Sequence, residues 1–374
     1  MTSKSGGEPT LSSSRRLFPG FFVIFAIAGS LALGGVGGYL FNLIQMPLAW
    51  MIGAMLFCTV AALAGVPVRG SNKLRLIMVP VLGIMLGSAF TPETLQDIAL
   101  WVPSLLVLIF FVIAVIGCVG LFLYKVMEFG PITAYFSASP GGLATMAIIG
   151  AEMGGDERRI SLTHSIRIML TVLIIPFYFR FFEGYVPGVA GTFGTIEQMS
   201  LRDGLILGAC WLGFPLAKFL RIPSAQILGP MILSATVHMM GLTIAKPPGE
   251  IVNLAQLVIG TGIGARFVGV SLVRLSRVMI AAAVSTVFMI LLAAAAANGL
   301  SAYTGLPFQA LWLAFSPGGL AEMTLISLAM HIDTALVSTH HVVRVTVMVM
   351  LAPIIFNYLK RRWNIIENRD DHPF

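Results

Sequence analysis

Charge is what this chain has least of. Lys, Arg, Asp and Glu make up 10% of its 374 residues, where a soluble domain carries about 25%. A water-soluble enzyme would need polar surface that is missing here. Cysteine is scarce too. Cys58, Cys118 and Cys210 lie far apart in apolar runs, so they offer no metal-ligand spacing and read as packing residues. No combination of Cys, His and carboxylate has ligand spacing either, and His238 and His372 are isolated. This argues against a metal-dependent oxygenase, and no metal or cofactor is expected. The sequence has no GxSxG, Walker loop, HExxH or CxxC motif, so no enzyme is expected. No polar stretch exceeds about 20 residues, which leaves no room for a DNA-binding module.

What fills the chain instead is apolar sequence, 57% of all residues. Runs of about 20 apolar residues recur along nearly its whole length, the mark of membrane-spanning helices. The expected class is an all-α polytopic membrane protein, with the lipid bilayer as its first partner. The net charge of +7 comes from cations in short loops and tails, where they set orientation. Residues 1–16 read as a disordered cytoplasmic tail. "SSSRRLFPGFF" (Ser12 to Phe22) resembles a twin-arginine export signal. The apolar run after it continues to about Ile44, longer than a signal core, so a retained helix anchored by Arg15 and Arg16 is expected.

The chain also repeats itself. "FSASPGGLATM" at Phe136 to Met146 returns as "FSPGGLAEM" at Phe315 to Met323. At an offset of 177 residues Ser139 matches Ser316, Asp156 matches Asp333, and Ser161 matches Ser338. His164 matches His341, Arg167 matches Arg344, and Pro176 matches Pro353. Gly83, Gly87 and Phe90 match Gly260, Gly264 and Phe267 in the same register, while Pro47, Ala49 and Gly53 match Pro223, Ala225 and Gly229 at 176. So many identities in one register mark a duplication. Repeat 1 covers 17–182, a linker 183–201, repeat 2 covers 202–358, and a cytoplasmic tail 359–374. Each repeat holds six apolar segments: 18–44, 47–66, 76–92, 101–124, 130–152 and 160–182, then 203–220, 223–243, 252–270, 278–299, 306–331 and 335–358.

Loop charges bear on how the two halves are oriented. The tail carries Lys4, Arg15 and Arg16, and the loop after segment two carries Arg69, Lys73 and Arg75. Both should be cytoplasmic. The loop after segment three has Glu93 and Asp97 and no cation. In the second half the bias is reversed. Lys218 and Arg221 stand where Leu43 to Met46 has no charge, Arg274 and Arg277 oppose Glu93 and Asp97, and Lys246 with Glu250 opposes three cations. Inverted halves each cross an odd number of times. Six segments then leave one that does not cross. The expected fold is two inverted-topology repeats, each of about five transmembrane helices plus one broken or re-entrant SPGG segment. Glu183 and Glu197 would lie outside, and "LKRRW" (Leu359 to Trp363) inside.

Ser-Pro-Gly-Gly carries its own chemistry. Ser is a favoured N-cap and Pro suits the first helical position, which predicts half-helices starting at Pro140 and Pro317. The first N–H groups of a helix lack internal partners and attract anions. The candidate substrate site is therefore Ser139, Pro140, Gly141 and Gly142 with Ser316, Pro317, Gly318 and Gly319. His164 and Arg167 share a helical face with Ser161, and His341 and Arg344 with Ser338. Arg167 lies about 10 Å into its helix, where an arginine is costly unless it faces protein or a cavity. These residues either bind the anion or cap carbonyls of their own half's SPGG segment. Glu322 stands where the first half has Thr145. It either couples transport to H+ or Na+, or makes an ion pair with Arg344 or His341. Asp156 and Asp333 read as helix caps.

Paired SPGGLA segments, each followed by a His-x-x-Arg helix, resemble the bacterial AbrB duplication membrane family. The resemblance covers nearly all of the chain after the tail. The family has been labelled both "ammonia monooxygenase" and "transcriptional regulator AbrB", and its fold is similar to inverted-repeat cation/proton antiporters and anion transporters. The resemblance implies Pro140 to Gly142, Pro317 to Gly319, His164, Arg167, His341 and Arg344 as the residues to watch, and names no substrate. The expected function is secondary transport of a small organic anion, with H+ or Na+ coupling left open. The alternative is a membrane regulator or ligand sensor that affects gene expression indirectly. A bacterial inner-membrane location with both termini cytoplasmic is expected. So is a homodimer, and no nucleic-acid partner.

Overall fold

The structure is a computed structural model and describes residues 19–185, 194–271 and 275–362. The predicted tail at 1–16 with Lys4, Arg15 and Arg16, part of the linker, Arg274 and the tail from Trp363 onward lie outside the described residues. All twelve apolar segments are helical. The first half comprises α1 (Pro19–Leu43), α2 (Ala49–Leu63), α3 (Asn72–Gly87), α4 (Thr94–Lys125), α5 (Pro131–Ala138), α6 (Leu143–Glu152) and α7 (Glu157–Phe181). The second comprises α8 (Leu201–Cys210), α9 (Gly213–Phe219), α10 (Ala225–Met239), α11 (Gly249–Gly264), α12 (Ser276–Thr304), α13 (Phe308–Phe315), α14 (Leu320–Ala329) and α15 (Thr334–Arg362). No strand occurs among the described residues.

The sequence register recurs in the backbone. Both ends of α2 return in α10 after 176 residues, and both ends of α3, α5 and α6 return in α11, α13 and α14 after 177. Left-handed residues pair in the same register: Gln45 with Arg221, Leu48 with Ser224, and Glu128 with Gly305. One segment departs from the pattern. The run at 203–220 divides at Trp211 and Leu212, although its counterpart α1 is continuous. Pro215 explains the break, because it offers no N–H to the Trp211 carbonyl and its ring crowds that oxygen.

Five helices are long and apolar enough to cross a membrane: Val23–Leu43, Gln96–Lys125, Glu157–Phe181, Ser276–Thr304 and Thr334–Phe356. Phe25, Phe110 and Leu291 stand exposed on them, as a lipid-facing surface requires. α2, α3, α10 and α11 have 15 or 16 residues, about 23 Å at 1.5 Å per residue, against a hydrocarbon core of about 30 Å. Length alone therefore does not make these four into spans, as a count of five per repeat requires.

The halves interlock through small residues. α2 packs on α11 and α3 on α10. A side chain at Gly83 or Gly87 would collide with the carbonyl oxygens of Ile227 or Met231, and one at Gly260 with that of Met51. Within each half, Gly37 meets Gly53, and Gly213 meets Gly229, backbone against backbone. Such approach maximises dispersion contact where lipid gives no hydrophobic drive.

Both broken segments double back. The Asp156 N–H donates to Thr133 Oγ1 at 3.0 Å, joining the end of α6 to the start of α5. In the second half Gln309, at the start of α13, donates to Glu183 at 3.3 Å. Tyr185 donates to the Ala329 carbonyl, at the end of α14, at 3.4 Å. Each pair is braced by the other half's last helix. Tyr135 donates to the Ala352 carbonyl at 3.0 Å, and Trp312, its counterpart, packs edge-on against Tyr178 at 4.9 Å.

Candidate functional site

The SPGG stretches are extended links between two short helices, and here the structure corrects the sequence. The second half-helices start at Leu143 and Leu320, with Gly142 and Gly319 as N-caps, and not at Pro140 and Pro317. The cause is the Ser-Pro bond, since a residue before proline is driven from the α region. Ser139 and Ser316 are accordingly extended and close the preceding helices. Their hydroxyls donate backwards, to Tyr135 O at 2.9 Å and Trp312 O at 2.6 Å. Neither serine caps the next helix.

The basic residues act on the ends of α5 and α13. His164 Nε2 donates to Phe136 O and His341 Nε2 to Leu313 O, both at 2.9 Å. Their Nδ1 atoms accept from Arg167 at 2.6 Å and from Arg344 at 2.8 Å. This fixes the tautomer, because an arginine can only donate. Arg344 also donates to Ser316 O and Gly318 O, each at 2.6 Å. Arg167 reaches Ser139 O at 3.3 Å and Ser137 O at 3.5 Å. Carbonyls left over at a helix C-terminus favour cations, and these four side chains are placed on such carbonyls. Each Arg Nε remains buried without a hydrogen-bond partner. Asp156 and Asp333 cap α7 and α15 through the N–H groups of Arg159 and Leu336, both at 3.0 Å.

Both breaks reach one cavity of about 590 Å³. Gly141, Gly142 and Arg167 line it from the first half, and Pro317 to Gly319, Glu322 and Arg344 from the second. Ser139, Ser316, His164 and His341 lie behind its wall. Pro140 meets Pro317 in a small adjoining gap with Phe111 and Phe315. The remaining walls come from α3, α10 and α11, including Val79, Ile227 and Ile259. The mouth carries Ser71, Asn72, Gln226 and two arginines that sequence reasoning does not assign to the site, Arg75 and Arg266. Among the described residues neither arginine has an ion pair within 4.0 Å. Glu322 forms no ion pair with Arg344 or His341. It turns back over its own helix start, so that a side chain at Gly319 would collide with Oε2, and it sits in the field of Arg75 and Arg266.

Besides the matched pair Arg167 and Arg344, the charges that line the cavity are ones that break the repeat. Val252 holds the place of Arg75, Ala89 that of Arg266, and Thr145 that of Glu322. A charge inside a duplicated apolar helix with no charged counterpart is the signal by which the sequence marks them.

A family model described as transition state regulatory protein AbrB matches residues 50–360. The chain belongs to the AbrB family. That match takes in both SPGG breaks, both His-Arg pairs and every residue that lines the cavity. Two proteins of known source are similar over most of their length. One is the Bacillus subtilis (strain 168) protein carried under the name YhjN, 26% identical over 352 residues, covering 88% of this chain and 92% of that one. The other, from Escherichia coli (strain K12), is named as a candidate regulator, AbrB, and is 23% identical over 320 residues, 85% of this chain and 92% of its own.

Proposed function

We propose that this AbrB-family membrane protein is a secondary transporter of a small organic anion rather than an enzyme, and that the shared cavity is its substrate site. The observation that carries this reading is the convergence of both SPGG breaks on one cavity with unpaired arginines at its mouth. The backbone N–H groups of Leu143, Ala144 and Thr145 have no acceptor among the described residues, and all three residues line the cavity. Broken helices whose half-helix starts face a common site are the build of inverted-repeat transporters. Irregular backbone at membrane depth survives where it is buried in protein or lines a wet cavity. Under the inverted topology the two breaks are re-entrant, from opposite sides of a bacterial inner membrane, with both termini cytoplasmic.

The cavity mouth is formed by Gly70, Ser71, Asn72, Arg75, Ser224 and Arg266, on the side that the loop charges assign to the cytoplasm. The repeat names what closes the other side. Met51, Leu82 and Leu86 are the counterparts of the cavity-lining Ile227, Ile259 and Ile263, and all three are fully buried. Gln256, counterpart of the cavity-lining Val79, keeps a buried Oε1 with no partner, which water would satisfy once that side opened. Exchange of the two packings would carry an anion across. Glu322, as a carboxylate at the site, is the candidate for H+ or Na+ coupling.

Uptake of radiolabelled carboxylates by sealed proteoliposomes tests the proposal. Saturable accumulation whose half-saturating concentration Arg266→Gln raises roughly tenfold supports it. The regulator reading draws on the family description and on the name of the Escherichia coli relative. Binding without any uptake would favour that reading and overturn transport.

A further inference from the structure

The two SPGG helix starts look equivalent in sequence and are not equivalent in space. At α14 the acceptor position is taken from within. Glu322 is the third residue of the helix, its carboxylate lies against its own backbone N–H, and it covers Gly319. At α6 that position is bare. Thr145 stands in place of Glu322, and the first-turn N–H groups have no acceptor among the described residues.

Two further observations mark α6 as the vacant member of the pair. Gly142 has an ordinary backbone, with φ −63° and ψ 130°. A side chain there would meet only Thr145 Oγ1, at 3.6 Å, so the fold does not require glycine at this position. Gly141 differs, because a side chain there would press on Met146 at 2.8 Å. Second, Arg266 lines both the main cavity and a second one of about 310 Å³, and Leu143, the first residue of α6, does the same. Arg266, with no ion pair within 4.0 Å among the described residues, therefore shares both cavity walls with the bare helix start. The cavity wall also carries Arg167, which is 2% exposed and keeps its Nε without a partner, as Arg344 does beside α14.

We infer that the site takes a substrate with a single carboxylate group, seated on the first turn of α6 between Thr145 and Arg266, while Glu322 acts as a built-in anion that fills the matching seat on α14. The inference rests on the cavity being an anion site. It makes Glu322 a specificity residue. Its carboxylate repels a second carboxylate on the substrate, while Val79, Ile227 and Ile259 accept a neutral, apolar body. The repeat supplies both exchange variants, Glu322→Thr and Thr145→Glu, each of which installs the residue that the other half already holds.

The test is binding of propionate, succinate and alanine to the purified full-length protein, by calorimetry and by ligand-dependent thermal stabilisation. Propionate should bind wild type at least tenfold more tightly than succinate. Glu322→Thr should raise succinate affinity at least tenfold. Thr145→Glu should lower propionate affinity at least tenfold, and Gly142→Ala should lower it while leaving the unfolding temperature without ligand unchanged. Succinate binding equal to propionate, or a Glu322→Thr protein with unchanged preference, overturns the inference and leaves the anion site standing. Tighter binding of alanine than of propionate also overturns it, since Glu322 would then be receiving an ammonium group. If no probe binds wild type, the anion site and this inference both fail.

Discussion

Replacing Arg344 by Met should destabilise the protein with no anion present, and should do so more than the same change at Arg167. Both arginines are buried, and Met keeps most of the apolar stem while deleting the guanidinium. Arg344 gives two carbonyl bonds at 2.6 Å, to Ser316 and Gly318. A hydrogen bond from a charged group contributes about 1.5–3 kcal/mol, so the upper estimate for the pair is about 3–6 kcal/mol. Polar contacts between membrane helices average nearer ~0.6 kcal/mol, which puts the lower estimate at about 1 kcal/mol. Arg167 reaches its two carbonyls at 3.3 and 3.5 Å, beyond the usual range, and the bond to a histidine Nδ1 is common to both arginines, so less should be lost there. Thermal unfolding in detergent, with Arg344→Lys and Arg167→Lys as charge-retaining comparators, reads the difference. An Arg344→Met protein as stable as wild type would refute the capping assignment. So would an Arg167→Met protein that loses more.

The packing and the site give further expected outcomes. Gly229→Ala should cost about 1–3 kcal/mol, because the added methyl collides with the Gly213 backbone. Gly35→Ala in α1, with nothing within 4 Å, should be neutral or gain up to about 1 kcal/mol from helix propensity; paired unfolding curves check both. Ser104→Ala should cost about 1 kcal/mol, since Ser104 Oγ meets His340 Nε2 at 2.9 Å and ties α4 to α15; unfolding of the single and double variants shows whether the two residues are coupled. Arg266→Gln should weaken propionate binding roughly tenfold, the loss of one charged hydrogen bond of about 1.4 kcal/mol; calorimetry measures it.

Much of this architecture is legible in the chain, for a specific physical reason. Duplication leaves unusual residues in one register, so Pro, Gly, His and Arg mark the repeat even where the apolar residues between them have drifted. The helix ends keep that register closely. The differences between sequence and structure have local causes. Ser139 and Ser316 resemble N-caps of the second half-helices, but the proline after each obliges it to end the first half-helix instead. The split between α8 and α9 turns on Pro215, which has no counterpart in α1. Arg75 reads as an orientation mark in a loop, and Arg266 draws no notice, because residues common to both halves outweigh those that differ. Repeated halves build a scaffold, but under the proposed function a single asymmetric ligand would be met by asymmetric residues, and Arg75, Arg266 and Glu322 are of that kind.

The central claim is that one cavity is served by two oppositely facing halves. Its most direct test uses the matched positions Ile259, on the open cavity wall, and Leu82, buried on the closed side. With Cys58, Cys118 and Cys210 replaced, Ile259→Cys and Leu82→Cys are labelled with an impermeant thiol reagent in inside-out and right-side-out vesicles. The account predicts that Ile259→Cys reacts from the cytoplasmic face and Leu82→Cys from the opposite face. Reaction of both from the same face, or no reaction of Leu82→Cys from either, would contradict it.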